Sequence, residues 1–174
     1  MGCRDAKSMT ALGFLTVIED APSGLFGGFL VLDLAGRPLE FHCTAPVKAN
    51  RAQQILYGPT LESFLYGDHI GASLLGKAKA GVEVVVTNRA AMLAARSHTQ
   101  TPLVLLADRP DIERAGPTLN IGEQIVQLCP EDADRAEAVA AVLREAALVH
   151  LGEPFERIAA AIDEARSPGR AQAA

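Results

Sequence analysis

Glu40, His42 and Thr44 stand at alternate positions of a 174-residue chain, and alternate positions of a β-strand share a face. A carboxylate beside an imidazole can set the ring's tautomer and raise its basicity. Glu40 and His42 are therefore a candidate acid–base pair, with Lys48 and Arg51 just beyond them. Strand residues two apart lie roughly 7 Å from each other, so contact depends on rotamers, and a half-exposed polar strand face is the simpler reading. Asp68, which also reads as a helix cap, and His69 just after it, which could sit in a cleft, are further candidates, although no motif surrounds them. A small hydrolase or transferase would use Glu40, His42, Asp68 and His69, helped by Arg51 or Arg89. A third constellation follows two apolar runs, with Thr87-Asn88-Arg89 after the first and Asp108-Arg109 after the second. Open α/β sheets bind ligands at the carboxyl ends of their strands, and two arginines with Asn, Thr and Asp suit an anionic small molecule. That argument rests on fold alone, and the same residues make ordinary turns and caps.

Other chemical motifs are missing. Gly24-Leu25-Phe26-Gly27-Gly28 precedes a strand and matches neither GxGxxG nor a P-loop, so a turn or β-bulge is expected there. Cys3, Cys43 and Cys129 lack zinc-ligand spacing, and reduced thiols are expected. Alternation puts Cys43 on an apolar face with Leu39 and Phe41, opposite His42, so it is expected to be a buried, inert thiol. His98 and His150 read as loop or helix-end residues. No cofactor and no metal is expected.

The elements that must position these residues begin with a strand at Gly13–Glu19 (GFLTVIE). A hairpin follows, in which Gly28–Asp33 and Leu39–Thr44 flank Asp33-Leu34-Ala35-Gly36, a type I turn pattern. Asn50 with Gln53 three positions on is a capping box for a short helix ending at Tyr57-Gly58. Thr60 and Asp68 are expected to cap two further helices, one ending at Tyr66-Gly67 and one running toward Gly81. The repeated Leu-Tyr-Gly at 56–58 and 65–67 reads as two left-handed helix ends. VEVVV and LVLLA, at Val82–Val86 and Leu103–Ala107, have the apolar continuity of strands covered on both faces. With the short helix Ala90–Arg96 between them, they make a parallel βαβ unit. After a loop at 110–118, Gln124–Leu128 is a further strand. Amphipathic helices are expected at Asp132–Val149 and from Pro154 to Ala165. The sum is one α/β domain at 11–166, with a mixed sheet, an N-terminal antiparallel hairpin and a helical C-terminal end, between a flexible extension at 1–10 and a disordered tail at 167–174.

Composition narrows the class. The chain is 49% hydrophobic and 21% charged, which is ordinary for a globular domain and excludes collagenous, coiled-coil and disordered chains. The net charge is −5. Residues 1–130 hold 12 of the 21 acidic groups and 11 of the 16 basic ones, so the acidity belongs to the C-terminal helices. No basic stripe exists, and nucleic acid is not an expected partner. No apolar run approaches the roughly 20 residues of a membrane span, nor does the N-terminus read as a signal peptide. The expected compartment is the cytoplasm.

The stretch GRPLEFHCTAPVKANRAQQILYG (Gly36 to Gly58) resembles a segment of a family of bacterial proteins of similar length. The resemblance continues through Leu61–Leu75, returns at EPFERI (153–158) and covers about half of the chain. It implies a stand-alone bacterial cytosolic protein and assigns no activity, cofactor or catalytic residue. The leading expectation is a non-catalytic protein-interaction or regulatory module, through a protein partner or self-association. The alternatives are the small enzyme and the anion sensor described above.

Overall fold

A seven-stranded sheet, with the third strand of the chain at one edge and the sixth at the other, organises the molecule. The computed structural model describes residues 9–108, 115–146 and 150–167. β1 (Ala11–Asp20), β2 (Gly24–Asp33) and β3 (Pro38–Cys43) form an antiparallel meander. β4 (Val82–Thr87) pairs parallel with β1, and β5 (Leu103–Ala107) pairs parallel with β4. β7 (Gln124–Leu128) returns antiparallel beside β5, and β6 (Thr118–Ile121) closes that edge. The chain is thus one α/β domain with a mixed sheet. No described helix is long and apolar enough to cross a membrane. Most of the extension expected at 1–10, most of the tail, Arg109 and Val149 lie outside the described residues.

Two apolar clusters, one on each sheet face, make the core. On one face α4 (Ala136–Glu145) and α5 (Glu153–Arg166) cover Phe14, Leu30 and Val86. On the other, helical segments at 61–75 and 90–98 cover Leu15, Phe29 and Val85. Burial of such side chains, several of them fully inaccessible, contributes about 1.5–3 kcal/mol each.

The hairpin turn forms by the expected chemistry. Asp33 Oδ1 accepts the Ala35 and Arg37 N–H groups at 3.0 and 2.9 Å, and Gly36 N–H closes on Asp33 O at 3.0 Å. Gly36, at φ 81°, takes a conformation that other residues resist. The capping box also forms. Asn50 Oδ1 accepts from Gln53 N–H at 2.8 Å and Gln53 Oε1 from Asn50 N–H at 3.0 Å, at the start of α1 (Arg51–Tyr57).

Four expectations are corrected. Gly27 and Gly28 lie inside β2, not in a turn. As strand neighbours they face opposite sides. A Cβ at Gly27 would meet Ile70 and Leu74 of one helical layer, and a Cβ at Gly28 would meet Ile158 and Ile162 of α5. The pair lets helices approach the sheet from both sides. Second, the β3 faces are reversed. Phe41 pairs opposite Leu30 and Cys43 opposite Gly28, so both point toward the α5 side. α5 stops short of this edge, which leaves Phe41 38% and Leu39 36% exposed and Cys43 exposed. Leu39 falls at a bulge opposite Val31/Leu32.

Third, residues 61–75 form one helical run. α2 (Leu61–Ser63) passes into a π-helix at Phe64–Gly71 and then into α3 (Ala72–Leu75). Only the first Leu-Tyr-Gly ends a helix, with Gly58 at φ 49°. Gly67 sits mid-helix against the 3₁₀ helix Ala90–His98, where a Cβ would lie 2.8 Å from Ala95 N. Asp68 is inside the π-helix and caps nothing. Fourth, the helix expected from Asp132 is a 3₁₀ turn at Pro130–Arg135 followed by α4.

Candidate functional site

Glu40 and His42 do meet, with Oε2 and Nε2 2.8 Å apart. β2 holds their strand, and both lie opposite core residues, Val31 and Phe29. The Glu40 carboxylate has further partners in the segment that leads into β4. Lys79 N–H donates to both of its oxygens at 3.1 Å, and Ala80 N–H donates to Oε1. The His42 contact, then the Lys79 N–H, holds the Glu40 carboxyl below its ordinary value. Side-chain exposure is 17% for Glu40 and 25% for His42. A carboxylate spent on two backbone donors is a clamp on residues 79–80. Glu40→Ala is expected to speed amide exchange at Lys79 and Ala80 severalfold. The wild-type contact is present above about pH 4.5, the carboxyl's ordinary value. It is lost as pH falls through the lower folded value, so acid should reproduce the effect of the substitution. Unchanged exchange in Glu40→Ala would show that the clamp holds nothing.

Asp68 and His69 belong to a different place. Asp68 Oδ1 lies 2.9 Å from His98 Nε2, both side chains being 44% exposed. His69 sits edge-on to Phe64, with ring centroids 6.1 Å apart. Phe64 in turn stacks on Tyr57 at 4.0 Å. Among the described residues, no hydrogen bond or ion pair joins Asp68 or His69 to the Glu40–His42 pair. The four residues form two local groups on one side of the sheet.

The ends of β4 and β5 also separate. Thr87 is fully buried, and its Oγ1 accepts Arg89 N–H at 3.1 Å. Asn88 Oδ1 accepts from Thr16 Oγ1 of β1 at 2.6 Å. The Arg89 guanidinium lies 4.0 Å from Glu19, whose Oε1 accepts the Tyr66 hydroxyl. Burial first, then the adjacent Glu19, pushes the Tyr66 phenol up. Beside this network an open groove of about 460 Å³ is lined by Glu19, Leu25, Glu62, Leu65 and Tyr66. Asp108 lines a separate cavity of about 190 Å³ with Glu123, Gln124 and His150. Arg109 is outside the described residues. One end is therefore a polar network closed by β1 and Tyr66, and the other a small cavity with two carboxylates, a poor electrostatic match for an anion.

Sequence reasoning missed the partners Thr16, Glu19 and Tyr66: the parallel β1–β4 pairing sets β1 beside Asn88 and Arg89, and the π-helix packed on the sheet adds Tyr66. It also missed Arg96 and Asp132. Arg96 Nε and Nη2 donate to the two oxygens of the fully buried Asp132 at 2.8 and 2.9 Å. Among the described residues, no three His, Cys, Asp or Glu side chains are grouped to hold a metal.

The most open chemistry is at the two sheet edges. At β6, Asn120 O accepts from Arg144 Nη2 at 3.3 Å, so that edge is blunted. At β3, Thr44 N–H donates to Gly27 O at 3.0 Å. Hydrogen-bonded and non-hydrogen-bonded pairs alternate along an antiparallel ladder. The backbone groups of Phe41 and Cys43 therefore point away from β2. Among the described residues, nothing is hydrogen-bonded to them.

Sheet order and helical layers define the class as a mixed α/β domain. No protein-family model matches the chain, and no curated protein is similar to it. A solved structure with some likeness is that of Marinitoga piezophila Argonaute in complex with 5′ OH guide RNA, at 10% identity and a TM-score of 0.30. The match covers 72% of this chain and spans only 23% of that one. A likeness of that order assigns no function.

Proposed function

We propose that this chain is a non-catalytic interaction module that docks an extended polypeptide segment on the open edge of β3. One observation carries the reading: an edge strand with unpaired backbone groups also presents Phe41 and Leu39, both more than a third exposed. Strand addition uses those two features together, backbone groups for affinity and alternate side chains for specificity. Natural edge strands are commonly shielded by charge, proline or a covering element. Here Pro38 guards only the first position of β3.

The alternative enzyme reading has less support, because Glu40 is held by backbone donors and His42 rather than facing a shared cleft with Asp68 and His69. The anion-sensor reading is weakened by the engagement of Thr87 and Asn88 and by the acidic surroundings of Asp108. We place the module in the cytoplasm of a bacterium. Cys43, an exposed thiol, supports that compartment.

A phage-displayed peptide library panned on the protein at low surface density tests the docking site. Enriched extended peptides should bind the wild type and lose about tenfold or more in affinity, about 1.4 kcal/mol, on Phe41→Lys. An empty selection, or equal binding to both proteins, overturns the reading.

A further inference from the structure

We infer that the strand docked on β3 is the β3 strand of a second copy of this chain, paired antiparallel about a two-fold axis through Phe41. The inference rests on the edge-docking reading and names its partner. Three features of β3 support it.

The first is polar complementarity. A two-fold axis through position 41 sets Glu40 opposite the partner's His42, and His42 opposite the partner's Glu40. Each protomer already holds that pair 2.8 Å apart. The axis would thus assemble a four-member cluster of alternating acidic and basic groups on one sheet face. An imidazole N–H directly across a strand pair can donate to a carboxylate, whereas like charges there are unfavourable. Moving the axis to His42 puts imidazole on imidazole, and moving it to Glu40 puts carboxylate on carboxylate. Of these three registers, only that on Phe41 is complementary.

The second is the apolar face. The same axis puts Phe41 against the partner's Phe41 on the side that α5 leaves bare. A two-fold interface needs a surface that complements itself, and an aromatic at the axis with a carboxylate and an imidazole flanking it does so. The third is the backbone. Phe41 has its N–H and C=O directed outward, so it becomes a hydrogen-bonded pair with its own copy, with Cα atoms about 5.5 Å apart. Cys43 is two residues from the axis. The two copies of Cys43 would then sit about 14 Å apart, four strand rises of roughly 3.4 Å.

The spacing gives a register-specific test. Disulfides bridge Cα atoms about 4.4–6.8 Å apart. In a Cys3→Ser, Cys43→Ser background, Phe41→Cys treated with diamide should form a covalent dimer linked 41 to 41. Two thiols lose two protons and two electrons, which diamide accepts. The Cys3→Ser protein with Phe41 and Cys43 intact should not crosslink. Sedimentation or light scattering of the wild type should give twice the 18.3 kDa chain mass at about 100 μM, and Phe41→Lys should give one chain mass with an unchanged circular dichroism spectrum. If Phe41→Lys fails to fold, amide exchange of the wild type decides. Protection at Phe41 and Cys43 should rise on going from dilute to concentrated solution.

A wild type that stays monomeric throughout overturns the inference. So does a dimer that survives Phe41→Lys, a crosslink that maps elsewhere, or exchange that ignores concentration. Monomeric protein that still selects β3-dependent peptides refutes self-pairing and leaves the docking reading standing. Failure of both experiments removes both.

Discussion

Arg96→Ala is expected to lower the unfolding free energy by about 3–5 kcal/mol, because it leaves a buried carboxylate without its partner. For a domain of this size that is a fall in Tm of roughly 6–20 °C. Asp132 is fully inaccessible, and its two oxygens receive two parallel Arg96 N–H groups. Arg96 also donates through Nη1 to Thr99 O at 2.6 Å, so its loss frees the end of the 3₁₀ helix Ala90–His98 as well. Arg135 lies 3.6 Å from Asp132 but is 46% exposed, too solvated to replace Arg96.

The pair also sets an acid limb. Burial alone would raise the Asp132 carboxyl, but the Arg96 hydrogen bonds and charge, with Arg135, hold it below its ordinary value of 3.8. The folded form therefore binds fewer protons than the unfolded form. The resulting stability is complete above about pH 3.8 and disappears as pH falls through the folded value. Chemical denaturation from about pH 5 down to about pH 2 should show this limb in the wild type and a flatter one in Arg96→Ala. Replacing both partners with apolar residues, Arg96→Met with Asp132→Leu, should recover most of the loss. A single-variant cost below about 1 kcal/mol would mean that the pair adds no more than a surface contact.

Gly67→Ala carries the second large effect, a cost of about 3 kcal/mol by overpacking. The added methyl would meet Ala94 and the Ala95 backbone N at 2.8 Å, and a backbone atom cannot swing aside like the end of a flexible side chain. One turn on, a Cβ at Gly71 would lie 2.8 Å from both Ala95 Cβ and Met92 Sδ. Together the two glycines let the wide π-turn lie on the 3₁₀ helix. Gly76→Ala is the control. Its Cβ would lie 3.4 Å from Ala72 O, an ordinary van der Waals contact, and its φ of −68° is helical. It should be neutral or stabilise by up to about 1 kcal/mol. Equal denaturation midpoints for Gly67→Ala and Gly76→Ala would show that close packing at Gly67 is not limiting.

Local signals were legible where local chemistry decides the outcome. VEVVV, LVLLA and QIVQL are strands because β-branched and apolar runs of that length have little alternative. Asn50 with Gln53, and Asp33 with Gly36, work because their partners are within four residues. Reading failed where the deciding neighbour is distant in sequence. Alternation sorted Leu39, Phe41 and Cys43 from Glu40 and His42 correctly. Which set meets the core depended on where α5, more than a hundred residues later, lies: over β1 and β2, not over β3. Gly67 looks like a helix end until Ala94 and Ala95 press against it.

The candidate site divides on the same line. Residue types and the i, i+2 spacing made the Glu40–His42 contact readable, since both partners share one strand. Its clamp on Lys79 and Ala80, the grouping of Thr16 and Glu19 with Asn88, Arg89 and Tyr66, and the burial of Asp132 against Arg96 each join segments at least 36 residues apart. The order of bonded neighbours along the chain dictates strands, turns and caps, because their hydrogen bonds close within a few residues. Sheet order decides which strand is left at an edge and which polar groups are spent on one another. That order is a balance of packing over the whole core, so the open edge of β3 is visible only in the folded molecule.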